Sequence, residues 1–443
     1  MKKSVKIALG VVAAFLCLAC LGAAAVVYFA VSFYQAHRLF NEGTLAMNRH
    51  DYETAIAKFN GALGKHLNGT YRAYAFGDLA FSEYSNGGCD DAVRDYTEAL
   101  KLDPKLAWAY ENRGLLHYES SETDAALQDF AEAIRLDPNS YHAHFSQGQI
   151  EIERKDLDAA LEDFSEAARI DPSSAAAYYN RGLAYSYKKD YDRALANFDA
   201  AIQMNPNSAT ALAERGYVYL QKKELEKSIA DLSASIRLQP RHESAYRMRG
   251  FAFREQKRWN EAISDFNKAL QLNAKDMAAL EGRASTYSQM GDQDHAIADF
   301  SAFLQDWNLP DIYYRRGLGY FRKGDYDRAN LDFREGVKQA PEDASALNNF
   351  AWFLATCADA KFRNGNEAVD NAMKACLVSH WHDAYQVDTL AAAYAEAGKF
   401  NEAIAYEIKA VSYERLDPAR LVEMEKRRAL YQQHQPYRQP VAR

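Results

Sequence analysis

Acidic residues are missing between Met1 and Gln35, and from Ile7 to Val31 no residue carries a charge of either sign. As a helix rising about 1.5 Å per residue, that run reaches roughly 37 Å, enough to cross a ~30 Å hydrocarbon layer with some tilt. Cysteine is scarce. Of the five, Cys17 and Cys20 lie inside the apolar run and Cys89, Cys357 and Cys376 are widely separated, which excludes a disulfide framework. The chain also lacks a phosphate-cradling glycine loop, a nucleophile elbow and an HExxH helix, so no enzyme, cofactor or small-molecule substrate is expected. His142/His144 and His380/His382 are HxH pairs whose rings fall on different faces of a helix; they read as solvated surface histidines and not as metal ligands. The formal charge is -8, which argues against unspecific nucleic-acid binding, since that needs clustered cations.

Proline is sparse too, with ten residues in all, yet half of them keep one beat. Pro104, Pro138, Pro172, Pro206 and Pro240 are spaced by 34 residues, and Gly114, Gly148, Gly182, Gly216 and Gly250 follow at the same step. A fixed period of this size signals a solenoid of repeated supersecondary units, each burying its face on its neighbours. In the stretch from Ala175 to Asn207, Tyr178, Gly182 and Tyr185 share one face of a first helix, while Ala194, Phe198 and Ala201 share one face of a second. Glycine inside a helix costs about 1 kcal/mol against alanine, so its recurrence predicts close approach of the partner helix. Lys189-Asp190 makes the polar turn, and Pro206 stops the second helix.

Tyr178, Gly182, Tyr185, Ala194, Phe198, Ala201 and Pro206 resemble, in order and spacing, the tetratricopeptide repeat. The resemblance implies an all-α solenoid of antiparallel helix pairs wound as a right-handed superhelix. Laid along the chain, the template gives eleven units over residues 36–416. The first runs from about Ala36 with Gly43, Ala55, Phe59 and Ala62, the second from near Ala73, and units three to seven from Ala107, Tyr141, Ala175, Ala209 and Glu243. Register then loosens: Ala274 and Asn308 replace prolines, the ninth unit starts one residue early at Pro310, and the tenth, from Ala344, carries a long loop from Ala358 to Gly365. The eleventh spans Asp383 to Val411. A capping helix is expected over residues 417–433 and a disordered tail over 434–443.

The apolar run reads as a transmembrane signal-anchor helix over residues 7–34, close enough to the first repeat for the two to form one continuous helix. Lys2, Lys3 and Lys6 precede it and only His37 and Arg38 follow closely. The positive-inside bias therefore places residues 1–6 in the cytoplasm and the repeats on the extracytoplasmic side, periplasmic in a Gram-negative cell. Two alternatives stand beside this: a signal peptide cleaved after Ala23-Ala24-Ala25, whose apolar region would normally be about 7–15 residues, and lipidation of Cys20.

An arginine precedes the unit glycine at Arg113, Arg181, Arg215, Arg249, Arg283 and Arg316, and an aspartate recurs on the second helix at Asp129, Asp163, Asp231, Asp265, Asp299 and Asp332. Glu42 and Lys58 hold the same two places with signs exchanged. The exchange predicts structural ion pairs across each helix pair, partly exposed and worth about 0–1 kcal/mol each. Asp95, opposite Leu79, is expected to reach Arg113 instead. What remains is a set of first-helix aromatics pointing away from the seam: Tyr74, Phe81, Trp108, Tyr118, Phe145, Tyr179, Tyr187, Tyr217, Phe251, Tyr314, Phe321 and Trp352. Asn112 and Asn180 lie beside them, with Asn41 and Asn349 in equivalent places. The resemblance implies that such residues line a concave groove and that asparagines there hold an extended peptide's backbone. The expected function is a membrane-tethered scaffold or adaptor whose partner is a protein or peptide segment. The alternative is a fixed assembly subunit of a secretion- or pilus-type envelope complex, and more distantly a non-catalytic subunit of an enzyme.

Overall fold

The computed structural model describes residues 2–413 and 417–439, residues 2–20 by their backbone alone. All regular structure among them is helical. In order come α1 (Lys2–Asn48), α2 (Tyr52–Leu63), α3 (Gly69–Ser85), α4 (Cys89–Leu102), α5 (Ala107–Glu119), α6 (Thr123–Leu136), α7 (Tyr141–Glu153), α8 (Leu157–Ile170), α9 (Ala175–Tyr187), α10 (Tyr191–Met204) and α11 (Ala209–Gln221). Then follow α12 (Leu225–Leu238), α13 (Glu243–Glu255), α14 (Trp259–Leu272), α15 (Met277–Met290), α16 (Gln293–Asp306), α17 (Pro310–Lys323), α18 (Tyr326–Gln339), α19 (Ala344–Thr356), α20 (Gly365–Val378), α21 (Ala384–Glu396), α22 (Phe400–Val411) and α23 (Pro418–Gln432). One short 3-10 turn, Ala360–Phe362, interrupts the loop before α20.

The helices form two compact units, Met1–Val218 and Tyr219–Arg443. Within the first, α1 packs on α2, α3 on α4, α5 on α6, α7 on α8 and α9 on α10. Within the second, α13 packs on α14, α15 on α16, α17 on α18, α19 on α20 and α21 on α22. In both units the first helices of successive pairs also meet, α5 with α7 and α7 with α9, α17 with α19 and α19 with α21. Helix α23 closes the second unit by packing on α22.

Most second helices carry one large ring at the centre; α12 has Leu232 there, α20 Ala372 and α22 Glu407. Phe130, Phe164, Phe198, Phe266 and Phe333 are fully buried, each flanked by buried alanine. The unit glycine explains how so large a ring fits. A Cβ built on Gly182 would stand 2.8 Å from the ring of Phe198, and one on Gly250 would stand 2.9 Å from Phe266. The ring therefore lies directly on the first helix's backbone, which gives the close approach expected from the glycine beat.

The turns inside the pairs contain a left-handed residue, and in the regular units it is not glycine: Lys155, Lys189, Lys223 and Lys257 have φ of 60–63°. Gly291 and Gly324 fill the same place later in the chain. A side chain with a Cβ costs about 1–2 kcal/mol there. Lys189→Gly is expected to stabilise its helix pair by about 0.5–1 kcal/mol, the rest being offset by the freer unfolded chain. A urea midpoint for the variant at or below the parent's would contradict this.

Proline is expected from the sequence to stop the second helices, yet α14 ends at Leu272 although Ala274 replaces the proline. The stop is carried by the residue before it. Asp103, Asp137, Asp171, Asn205 and Asn273 each accept, through a side-chain oxygen, the backbone N–H two residues on, at 3.0–3.3 Å. This Asx turn offers the backbone an alternative to another helical turn and needs no proline.

Helix α1 runs without a break from Lys2 through the first pair. Leu21, Val26, Val27, Tyr28, Phe29, Val31, Phe33 and Tyr34 are exposed along it. No helix is long and apolar enough to cross a membrane among the described residues; the side chains of residues 7–20, the first half of the expected span, lie outside them. The body of the first unit also reaches further up this helix than Ala36, since Phe29 packs on His66 with ring centroids 4.5 Å apart.

Residues 434–439, read from the sequence as disordered, lie against the second unit, and residues 440–443 fall outside the described chain. The backbone N–H of Gln439 donates to the carbonyl of Thr356 at 2.9 Å, and the Trp352 indole N–H donates to the Gln439 side chain. Lack of periodicity marks a segment that is not a helix, but it cannot reveal that a folded surface holds it.

Candidate functional site

The arginine beat builds a three-way clasp. Arg113 donates through Nε and Nη2 to both oxygens of Asp129, at 2.8 and 2.7 Å, and through Nη1 to Thr97 on the preceding pair at 3.0 Å. Arg249 treats Asp265 and Ser233 in the same way, as do Arg283 with Asp299 and Asn267, and Arg316 with Asp332 and Ser301. Glu42 and Lys58 meet at 2.6 Å with their signs exchanged. Arg181 faces Asn197, 2.7 Å away, where other pairs have aspartate.

Two details depart from the sequence expectation. The arginine–aspartate pairs are largely buried, with the Asp129 side chain 7% and that of Arg113 18% exposed, because the neighbouring pair walls in the fork; removing one partner of such a bridge costs about 3–5 kcal/mol and not the 0–1 of a surface pair. Asp95 pairs with Arg94 at 3.2 Å and not with Arg113, whose spare donor goes to Thr97. The arm between pairs is not among the sequence expectations. Its signal is nevertheless in the chain, a polar side chain two residues after the aspartate place at Thr97, Ser165, Ser233, Asn267 and Ser301.

His142, His380 and His382 are exposed as expected, but His144 departs from the surface-histidine reading: it is buried, and its Nδ1 lies 2.7 Å from Asp163. Here Gln147 stands in the arginine place, so a histidine from the same helix answers the aspartate. Burial, with Asp163 close by, pushes the Glu151 carboxyl beside it up to about 8.

The structure divides the proposed aromatic stripe. Tyr74, Phe81 and Tyr187 are exposed. Trp108 is not open: it stacks on Tyr74 at 6.2 Å, meets Tyr96 edge-on, and covers Gly77 so closely that a Cβ there would lie 2.2 Å from the indole. Phe145, Tyr179 and Phe251 lean on the central rings Phe164, Phe198 and Phe266 at 5.7, 6.0 and 5.1 Å. Tyr118 donates its hydroxyl to Glu153 on the next first helix at 2.6 Å. Tyr217 and Tyr314 are half-buried. Phe321, only 5% exposed, belongs to the core with Phe353, and Trp352 is covered by Tyr437 and Gln439. These large side chains are drawn inward because first helices of successive pairs touch, and a ring is what fills the gap over a glycine.

The asparagines behave alike. Asn112, Asn180 and Asn349 each donate a side-chain N–H to the carbonyl four residues back, Trp108, Ala176 and Ser345, at 2.7, 3.0 and 2.8 Å. The bond orients each amide on its own first helix. Asn41 is exposed on α1.

At the end of the second unit a cleft of about 490 Å³ opens between α17, α19, α21, α23 and the tail, lined by Asn349, Trp352, Tyr385, Asp388, Thr389, Arg420, Arg427 and Tyr437 among others. Beneath it lies a buried ionic cluster. Arg427 donates to both oxygens of Asp388 at 2.9 Å, and Glu407, wholly buried, stands 3.8 Å from Arg427. Burial, then the neighbouring Asp388, pushes the Glu407 carboxyl up to about 10. The cluster ties α21, α22 and α23 together. It is not among the sequence expectations, although its mark is there: Asp388 between Val387 and Leu390, and Glu407 between Tyr406 and Ile408, are charges set inside apolar stripes. Among the described residues no His/Cys/Asp/Glu group has the arrangement of a metal site, and Cys89, Cys357 and Cys376 are free thiols.

Family models for the tetratricopeptide repeat match residues 111–175 and 179–243, a second model 82–121, and a third 244–276 and 310–343. Among curated relatives, the photosystem I assembly protein Ycf3 of Prochlorococcus marinus is 32% identical over 82 residues, covering 18% of this chain and 47% of its own. The chain thus spans about half the length of the curated relatives it matches. Among solved structures, a tetratricopeptide repeat protein from Parabacteroides merdae ATCC 43184 aligns at 19% identity with a TM-score of 0.45 over 55% of this chain and 96% of that one. Yeast Tom70 aligns at 15% identity and a TM-score of 0.42, over 90% and 95%. With repeat models matching just over half of its length, and with the helix pairs, central rings and facing glycines described above, this chain belongs to the tetratricopeptide repeat family.

Proposed function

We propose that the protein is a membrane-tethered adaptor that binds an extended protein or peptide segment on the first-helix faces of its repeats. The observation that carries this is the oriented amide set: Asn112, Asn180 and Asn349 each bond a side-chain N–H to their own helix, which fixes the orientation of the amide. An acceptor already held in place binds a backbone N–H with little ordering cost. The exposed rings of Tyr74, Phe81 and Tyr187 supply apolar contact beside it. The tether is supported by the uncharged stretch from Ile7 to Val31 and by the apolar side chains exposed from Leu21 to Tyr34. The lysine bias ahead of that stretch orients the repeats to the extracytoplasmic side.

A photo-crosslinking residue at Tyr187 in the full-length protein should capture a discrete partner, and Asn112→Ala with Asn180→Ala should reduce that capture at least tenfold while leaving the thermal midpoint in place. Undiminished capture in the double variant removes the amide reading. Recovery of the protein only within one stoichiometric complex would make the array a fixed assembly subunit instead. Protease digestion of the repeats from the cytoplasmic side alone would reverse the orientation.

A further inference from the structure

The segment from His434 to Gln439 crosses the second unit as a non-helical strap, and its contacts are of a kind that any extended chain could make. Its last backbone N–H bonds the Thr356 carbonyl, one of the acceptors that a helix end leaves open. The Tyr437 ring lies 5.9 Å from that of Trp352, with the Arg427 guanidinium over both at 5.4 and 5.5 Å. Two residues on, the Gln439 amide takes the Trp352 indole N–H, and between them Arg438 pairs with Glu396 at 2.6 Å. The strap does not fill the space it enters. The cleft of about 490 Å³ stays open beside it, with Asn349, Tyr385, Thr389 and Arg420 on its walls. Asn349 is one of the oriented amides, so strap and cleft share the face assigned to ligand in the other repeats.

We propose that this strap is a built-in occupant of the α19–α21 face. It must be displaced before that face can receive a partner segment of the same chemistry: an extended chain with an aromatic ring and, two residues on, a side-chain amide. The proposal rests on the adaptor reading and names the ligand class for this end of the array. A ligand tethered by a short linker acts at an effective concentration in the millimolar range. A free segment of similar intrinsic affinity is therefore held off until the strap is weakened.

The test uses the full-length chain and a fluorescent peptide with the sequence His434 to Gln439. The peptide should bind the Tyr437→Ala/Gln439→Ala variant at least tenfold more tightly than the parent, and Trp352→Ala added to that variant should abolish the gain. Equal binding to parent and variant, or binding to neither, overturns the proposal. Trypsin gives a second readout that needs no peptide: cleavage after Arg438 should be slow in the parent and at least tenfold faster in the variant, whereas rapid cleavage in the parent shows that the strap is not seated. Loss of the Asn112/Asn180 effect with strap competition intact would sink the adaptor reading alone. The opposite pair of results would sink the strap alone.

Discussion

Arg427→Met is expected to release α23 from the second unit at a loss of about 3–5 kcal/mol of local stability, the range for stranding a buried charge by removing its partner. Asp388 and Glu407 are both buried, and Arg427 is the cation that reaches both, at 2.9 and 3.8 Å. Methionine keeps most of the volume, so lost packing is a small part of the effect. Because repeat arrays seldom unfold in one step, the reading should be amide hydrogen exchange in α21 to α23 and not a single global midpoint. Adding Asp388→Asn should recover part of the loss, since a neutral amide replaces the stranded carboxylate. A drop below about 1 kcal/mol would show that water reaches the cluster and solvates it.

Glu407→Gln should have the opposite sign, and its effect should grow with pH. The folded carboxyl is raised from 4.5 to about 10, so the folded state holds a proton that the unfolded chain releases. Its contribution is therefore complete below about pH 4.5 and is lost progressively as pH climbs towards about 10, by at most ~1.4 kcal/mol per pH unit. Burial raises the Asp388 carboxyl as well, against the pull of Arg427, and so acts in the same direction. Glutamine mimics the protonated acid and removes this slope. Measured at pH 6 and pH 9, hydrogen-exchange protection of α22 and α23 should fall clearly in the parent and far less in the variant. Parallel losses in both would falsify the assignment of the titrating group.

The helix pairs and the central ring were legible because both follow from local pattern. Spacing of three and four residues places Tyr178, Gly182 and Tyr185 on one face, and a missing Cβ at Gly182 can only make room for something, here Phe198 at 2.8 Å. The ion pairs were legible as pairs because Glu42 and Lys58 exchange sign. Their burial was not, since it depends on the neighbouring repeat, and of the third arm the chain shows only a recurring polar residue whose partner lies in the next pair, as Arg113 shows by reaching Thr97. The aromatic stripe was misjudged for the same reason. Whether Phe321 faces solvent or Phe353 depends on the helix packed against it, and its own helix carries no mark of that choice.

The sequence by itself determined the helical class, the repeat unit, the facing glycine and ring, and the opposite charges that meet across several of the pairs, because these interactions act within about 34 residues and recur often enough to be read. Only the tertiary structure decided which rings stay exposed, that His144 answers Asp163, and that Asp388, Glu407 and Arg427 converge beneath a cleft crossed by the chain's own tail. Those outcomes join residues as far apart as Trp352 and Gln439. They occur once each, and a lone charge inside an apolar stripe, as at Asp388 and Glu407, marks a buried group without naming its partner.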